Sequence, residues 1–281
     1  MSPKHGISPW IPNQHGAWAM LIAPAVVGTV TSITYFFTSF YSTGLSWRSP
    51  LAVFATLLAW FFGYFTFFAL TLVAKARTPQ RRRAYARPIY AYGPIAALAG
   101  VIVLIAHPAL IVWALFFGPL MSVALWETFH GRPRSMASGI STTLASALLI
   151  PVLWMAAHHV GFSAIGKQAW ISYIFLALYF SGTVPLVKSM VRERNTPGFV
   201  RLSIMIHAGA LIVFLAASAI SGVHITVPII LMAVVLALAL LRAWWIPHDA
   251  ARGNTWTAKR VGKRETPLVV AATLVTIAAL W

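Results

Sequence analysis

Three groups of residues have the types and spacing to hold an anion. The first is Asn13-Gln14-His15-Gly16-Ala17-Trp18, which runs directly into a long apolar stretch. Asn and His beside a glycine at a helix start can present donors and backbone N–H groups to negative charge. The same residues can equally form a polar helix cap with a Trp at the membrane interface. The second group is Lys75 and Arg77, which end an apolar run and precede Arg81-Arg82-Arg83. At a helix mouth, Lys offers a point charge and Arg a two-pronged fork for phosphate. Arg81 to Arg83 read more simply as a solvated loop that sets orientation. The third group is Arg192-Glu193-Arg194-Asn195, again at the end of an apolar run. Glu193 between two arginines reads as an ion pair that orients the guanidinium groups, ahead of a general base or a metal ligand. One carboxylate is weak support for Mg²⁺, which prefers one or two carboxylates together with substrate phosphates. No resident cofactor is expected.

Four further features have the right chemistry and a plainer alternative. His207 lies inside an apolar run, where an ionisable group is by default a functional candidate; the alternative is a neutral histidine bonded to a neighbouring helix. Glu265 follows Lys263 and Arg264 at the expected start of the last helix, where an acid suits the helix dipole. Glu127 can pair with Arg132 or Arg134. His107, His158, His159 and His224 fall on one expected face and have the donors for a metal or a haem, although span ends are polar in any case.

These residues need elements to position them, and composition says which. The chain has 281 residues, 59% hydrophobic and 9% charged, where a soluble domain would be roughly a quarter charged. A bilayer-spanning helix takes about 20 mostly apolar residues. Read from apolar runs and their breaks, nine such helices are expected: Ala17 to Phe37, Leu51 to Ala74, Pro88 to Ala106, Ala109 to Trp126, Ser138 to Ala157, Ala169 to Val187, Phe199 to Ile220, His224 to Trp245, and Thr266 to Trp281. The fold class is therefore all-α, a polytopic membrane bundle in a single domain over residues 1–281. The absence of cysteine excludes disulfides, thiolate catalysis and Cys-bound metal clusters. No signal peptide is expected, because no short apolar region with a small-residue cleavage pattern opens the chain.

The excess of 21 Lys and Arg over 4 Asp and Glu would point to nucleic acid in a soluble protein. In a membrane protein it reads first as the bias of cytoplasmic loops toward Lys and Arg, and no nucleic-acid partner is expected. With nine spans, all the basic residues but Arg48 and Lys167 fall on one side, which is then cytoplasmic. The N-terminus lies inside and the C-terminus outside. The ends of the second and sixth spans, LVAKARTP and LVKSMVRERNTP, match weakly. That match suggests two four-helix halves plus a ninth helix.

NQHGAWAM, the VKSMVRERN segment with His207 downstream, and KRVGKRE before the last helix together resemble the YwiC-like family of bacterial integral membrane proteins. The resemblance implies a bacterial inner-membrane protein. A more distant resemblance is architectural, to the UbiA-type intramembrane prenyltransferases. They share the plan of two four-helix halves plus one, and a likeness in the segment RTPQRRRAYARPI. In that superfamily the connections after the second and sixth helices carry Asp-rich motifs that hold Mg²⁺ against a prenyl diphosphate. Here those connections carry Lys75, Arg77, Arg192, Glu193 and Arg194 and no Asp. Metal-assisted ionisation thus loses its usual charge stabilisation, while direct cationic binding of phosphate remains. The expectation is a basic cytoplasmic mouth of Asn13, His15, Lys75, Arg77, Arg192, Glu193 and Arg194, with His207, that takes an anionic amphiphile such as an isoprenoid phosphate or a phospholipid. The alternatives are a transporter of a small anion or metabolite, and an accessory subunit bound to a membrane-protein partner.

Overall fold

The computed structural model describes residues 8–12, 15–42 and 46–281. Among the described residues ten α-helices follow one another: α1 (His15–Ser42), α2 (Arg48–Lys75), α3 (Pro79–Ala106), α4 (Ala114–Phe129), α5 (Met136–Ala147), α6 (Leu149–His158), α7 (Lys167–Val191), α8 (Phe199–Ile220), α9 (Val227–Ala251) and α10 (Ala258–Ala279). Short 3-10 turns at Pro108–Trp113 and Phe162–Ala164 lead into α4 and α7. Among the described residues there is no strand. The all-helical class is as expected: in a bilayer a helix satisfies its backbone polar groups within one segment.

Helices α5 and α6 form one rod, the expected fifth span, with a break at Leu148. The break has a local cause. Pro151 has no N–H to give to the carbonyl of Ala147, and its ring crowds that carbonyl. The rod is the centre of the bundle, since Leu148, Leu149, Ile150, Leu153 and Met155 are all but fully buried. Helix α1 crosses it so closely that a Cβ on Gly28 would stand 2.3 Å from Leu153 Cδ1. Only glycine permits that approach. The Ser146 hydroxyl donates to the Met20 carbonyl at the same crossing. Helix α7 is the second central element, with Phe175, Tyr179 and Phe180 buried against α8, α9 and α10. Helices α2 and α3 pair along their length at the periphery, and their outer faces carry exposed Phe54, Leu98 and Val101, the surface a lipid phase would cover.

Three boundaries differ most from expectation, each moving charge from a loop onto a helix. α3 begins at Pro79, not Pro88. The Thr78 hydroxyl caps it by accepting from the Arg81 amide at 3.3 Å, so Arg81, Arg82 and Arg83 stand on its first turns. α9 continues past Trp245 to Ala251, which brings His248 and Asp249 onto the helix and sets Arg242 more than two turns from its end. α10 begins at Ala258, so Glu265 lies two turns inside it and not at its start.

Among the described residues, eight spans have the length and composition to cross a membrane. The ninth expected span falls in α10. There Lys259, Arg260, Lys263, Arg264 and Glu265 occupy the first turns, and the apolar remainder is shorter than the usual span. That remainder packs against α1, α7 and α9 as part of the bundle.

Candidate functional site

The basic mouth is built from three connections. After α4, Gly131 takes a left-handed conformation (φ 75°), and the Arg132 amide donates back to the Glu127 carbonyl at 2.7 Å. Arg132 Nη2 meets Glu127 Oε1 at 2.8 Å, one of the two pairings the sequence allows for that acid. Ser135 then caps α5 by accepting from the Ser138 amide at 3.0 Å, and the Ser138 hydroxyl donates to the Pro133 carbonyl at 3.2 Å. This tight turn fixes Arg134. From α7, Lys188 Nζ donates to the Arg134 carbonyl at 3.3 Å, which ties the turn to the third connection. Lys75 closes the ring from the end of α2.

Together these elements bound an open cleft of about 600 Å³, lined by Lys75, the turn Gly131 to Ser135, Lys188, Arg192 and Glu193. The cations stand near one another. Partial burial and, next, the charge of Arg134 push the Arg192 guanidinium below its ordinary value, against the opposite pull of Glu193. Arg192 remains charged at any physiological pH, so the crowding acts as a local excess of positive potential. Among the described residues, Lys75, Arg134, Lys188 and Arg192 have no carboxylate within 4.0 Å.

Of the expected mouth residues, Lys75, Arg192 and Glu193 line this cleft. Arg77 and Arg194 are exposed beside it and do not. Glu193 is not the expected ion pair: its Oε2 accepts from the Thr196 hydroxyl at 2.7 Å, because the turn after α7 folds the acid toward Thr196. Asn13 lies outside the described residues, and His15 is the first residue of α1. Trp18 has a structural task. Its indole donates to the Pro12 carbonyl at 2.9 Å, while Trp10 packs edge-on to Tyr92, so the leading segment lies against α3. His207 is not at the mouth at all.

His207 belongs to a second polar group, inside the bundle. It is 3% exposed, and its Nδ1 bonds to the Ser203 carbonyl at 2.8 Å. A Cβ on Gly182 would stand 3.0 Å from His207 Nε2, so the ring packs tightly on the bare backbone there. One turn before Gly182, at the midpoint of α7, Tyr179 donates its hydroxyl to Glu265 Oε1 at 2.5 Å. Glu265 Oε2 is ion-paired with Arg242 Nη1. Four helices, α7 to α10, thus converge on one ionised pair and its neighbours. The sequence carried a signal for this: Arg242 interrupts the apolar run Leu236 to Ile246, and Glu265 is one of only four acids. Tyr179 gives no such signal.

On the other expected face, His107 and His159 stack at 4.3 Å between ring centres, and His158 stacks on Trp154. Burial, then the neighbouring His159, holds the His107 imidazole below its ordinary value, against a backbone contact at Val160. Among the described residues, no three His, Cys, Asp or Glu side chains are grouped to hold a metal.

The buried pair makes a direct prediction. A charge left alone by removal of its partner costs about 3–5 kcal/mol. Glu265→Gln should therefore lower the thermal midpoint of the purified protein sharply. Arg242→Met combined with Glu265→Leu should recover most of the loss, a coupling that a double-mutant cycle in thermal or denaturant unfolding reads out.

Comparison with known proteins agrees with the sequence motifs. The chain is 26% identical over 252 residues, 90% of each chain, to a protein of Bacillus subtilis (strain 168) described as uncharacterized protein YwiC. No solved structure matches. The family model described as YwiC-like protein matches residues 11–154, just over half of the chain, which takes in α1 to α5 and most of α6. The chain belongs to the YwiC-like family.

Proposed function

We propose that the basic cleft binds the phosphate head of an anionic amphiphile, an isoprenoid phosphate or a phospholipid, at the cytoplasmic surface of the bacterial inner membrane. The observation that carries this reading is the convergence of Lys75, Arg134, Lys188 and Arg192 from three connections without, among the described residues, a carboxylate within ion-pair distance. Clustered cations of this kind favour a multiply charged oxyanion, which can bridge several donors at once. The exposed apolar residues Val187, Val191 and Leu202, on the helices beside the cleft, offer surface for an acyl or prenyl chain.

Lys75 and Arg192 end the helices whose following connections hold the Asp-rich motifs in UbiA-type enzymes. That correspondence supports a divergent, prenyltransferase-like relation in which phosphate is held by cations directly. A second reading, transport of a small anion or metabolite, draws support from a different observation: Arg242, Glu265 and Tyr179 meet inside the bundle, where a transported polar ligand needs partners.

Two experiments test the proposal. Mass spectrometry of lipids carried by the gently purified protein should find one phosphate-bearing lipid enriched over the membrane average. Arg192→Ala and Lys75→Ala should reduce its retention at least tenfold while folded yield is unchanged. An isoprenoid phosphate favours the prenyltransferase-like branch, and a phospholipid favours lipid binding alone. A bulk-membrane profile unaltered by either substitution defeats the reading. For orientation, we place the N-terminus inside and the C-terminus outside, with α10 as a short ninth crossing, because this leaves only Arg48 and Lys167 on the outer side. A C-terminal alkaline phosphatase fusion should be active in cells, and a C-terminal fluorescent protein dark when exported unfolded. The opposite pattern reduces the crossings to eight.

A further inference from the structure

Arg242 is 7% exposed, and only one side of its guanidinium is used. Nη1 holds Glu265. Nε and Nη2, the two parallel N–H groups on the other side, find no partner among the described residues. That side is the fork whose spacing matches the two oxygens of a carboxylate or a similar oxyanion. Two more buried polar atoms nearby have no partner either: His207 Nε2, on a ring within Coulombic range of Arg242, and the hydroxyl of Ser203, one turn before it on α8. A buried donor without a partner carries a desolvation cost, and the cost is greater for a charged one in a bundle without bulk water.

We propose that Arg242 is the anchor of a second binding site, inside the bundle between α7, α8, α9 and α10, which takes a single small oxyanion of the carboxylate class through its Nε–Nη2 fork. Glu265 and Tyr179 hold the guanidinium in place from the opposite side, so the fork is set before the ligand arrives. The Ser203 hydroxyl supplies a flanking donor, while His207, whose Nδ1 donates to the Ser203 carbonyl, presents Nε2 as an acceptor and makes no bond to the oxyanion. Each unpartnered atom is shielded from solvent, and a ligand therefore enters when the helices around it part. This site is independent of the cytoplasmic cleft, which shares no residue with it.

The test uses full-length protein in nanodiscs and formate, the smallest carboxylate, as the probe. Isotope-edited infrared difference spectra with ¹³C-formate against chloride at equal ionic strength should show a saturable bound-carboxylate band. In Arg242→Lys, which keeps the charge and loses the fork, the apparent Kd of that band should rise at least tenfold. A wild-type measurement stands beside it in case the variant does not fold. With ¹⁵N-arginine, the shielded Arg242 Nε–H should exchange far more slowly than those of surface arginines, and its resonance should move saturably with formate. Absence of a bound band, a band unchanged in Arg242→Lys, or a slow Nε–H that ignores formate would each overturn the proposal.

Discussion

Charge neutrality constrains this molecule more than any other factor. Four carboxylates serve 21 Lys and Arg, and each carboxylate is already engaged. Glu127 holds Arg132 at the turn after α4. Glu265 holds Arg242 in the core. Asp249 accepts from Trp256 Nε1 at 2.7 Å and from Asn254 at 2.8 Å, closing the link between α9 and α10. Glu193 accepts from Thr196. Surface cations on α3 and α10 are balanced by water and salt, or by the anionic lipid surface. Those that converge in a cleft repel one another unless something other than protein neutralises them.

The bundle makes that convergence possible. The break at Leu148 and the close crossing at Gly28 bring the α5–α6 rod to the centre, and the capped turn from Gly131 to Ser135 delivers Arg134 between the ends of α2 and α7. The Arg132–Glu127 pair in that turn is largely exposed on the arginine side, at 62%. It contributes little to stability and serves chiefly to shape the turn. The Arg242–Glu265 pair is the opposite case. It joins α9 to α10, Tyr179 joins both to α7, and its worth lies in fixing which helix faces meet.

Much of this was legible in the sequence because the governing signals are one-dimensional. Apolar runs gave the spans, and Lys75 and Arg192 stand where those runs stop, so both were found at the cleft. Thr78-Pro79 carries a helix-start signature, yet the arginines that follow it resemble a loop, and α3 was expected nine residues late. The pairing of Arg242 is hidden for a different reason: a charge near a pair of tryptophans looks like a span end, and only packing against Glu265, 23 residues on, reveals it as interior. Glu193 was assigned to its arginine neighbours because sequence adjacency does not say which way a turn points its side chains. The role of Tyr179 depends wholly on tertiary contact, and no local pattern marks it.

The central claim is that a phosphate-bearing molecule neutralises the cleft. The most direct measurement is magic-angle-spinning NMR of ¹⁵N-lysine- and ¹⁵N-arginine-labelled protein in native-lipid membranes, with ¹⁵N–³¹P dipolar recoupling. The account predicts dephasing of a small set of side-chain nitrogens by one immobilised phosphorus, lost on Arg192→Ala. Side-chain nitrogens that show only weak, uniform dephasing from bulk lipid, unchanged by that substitution, would contradict it.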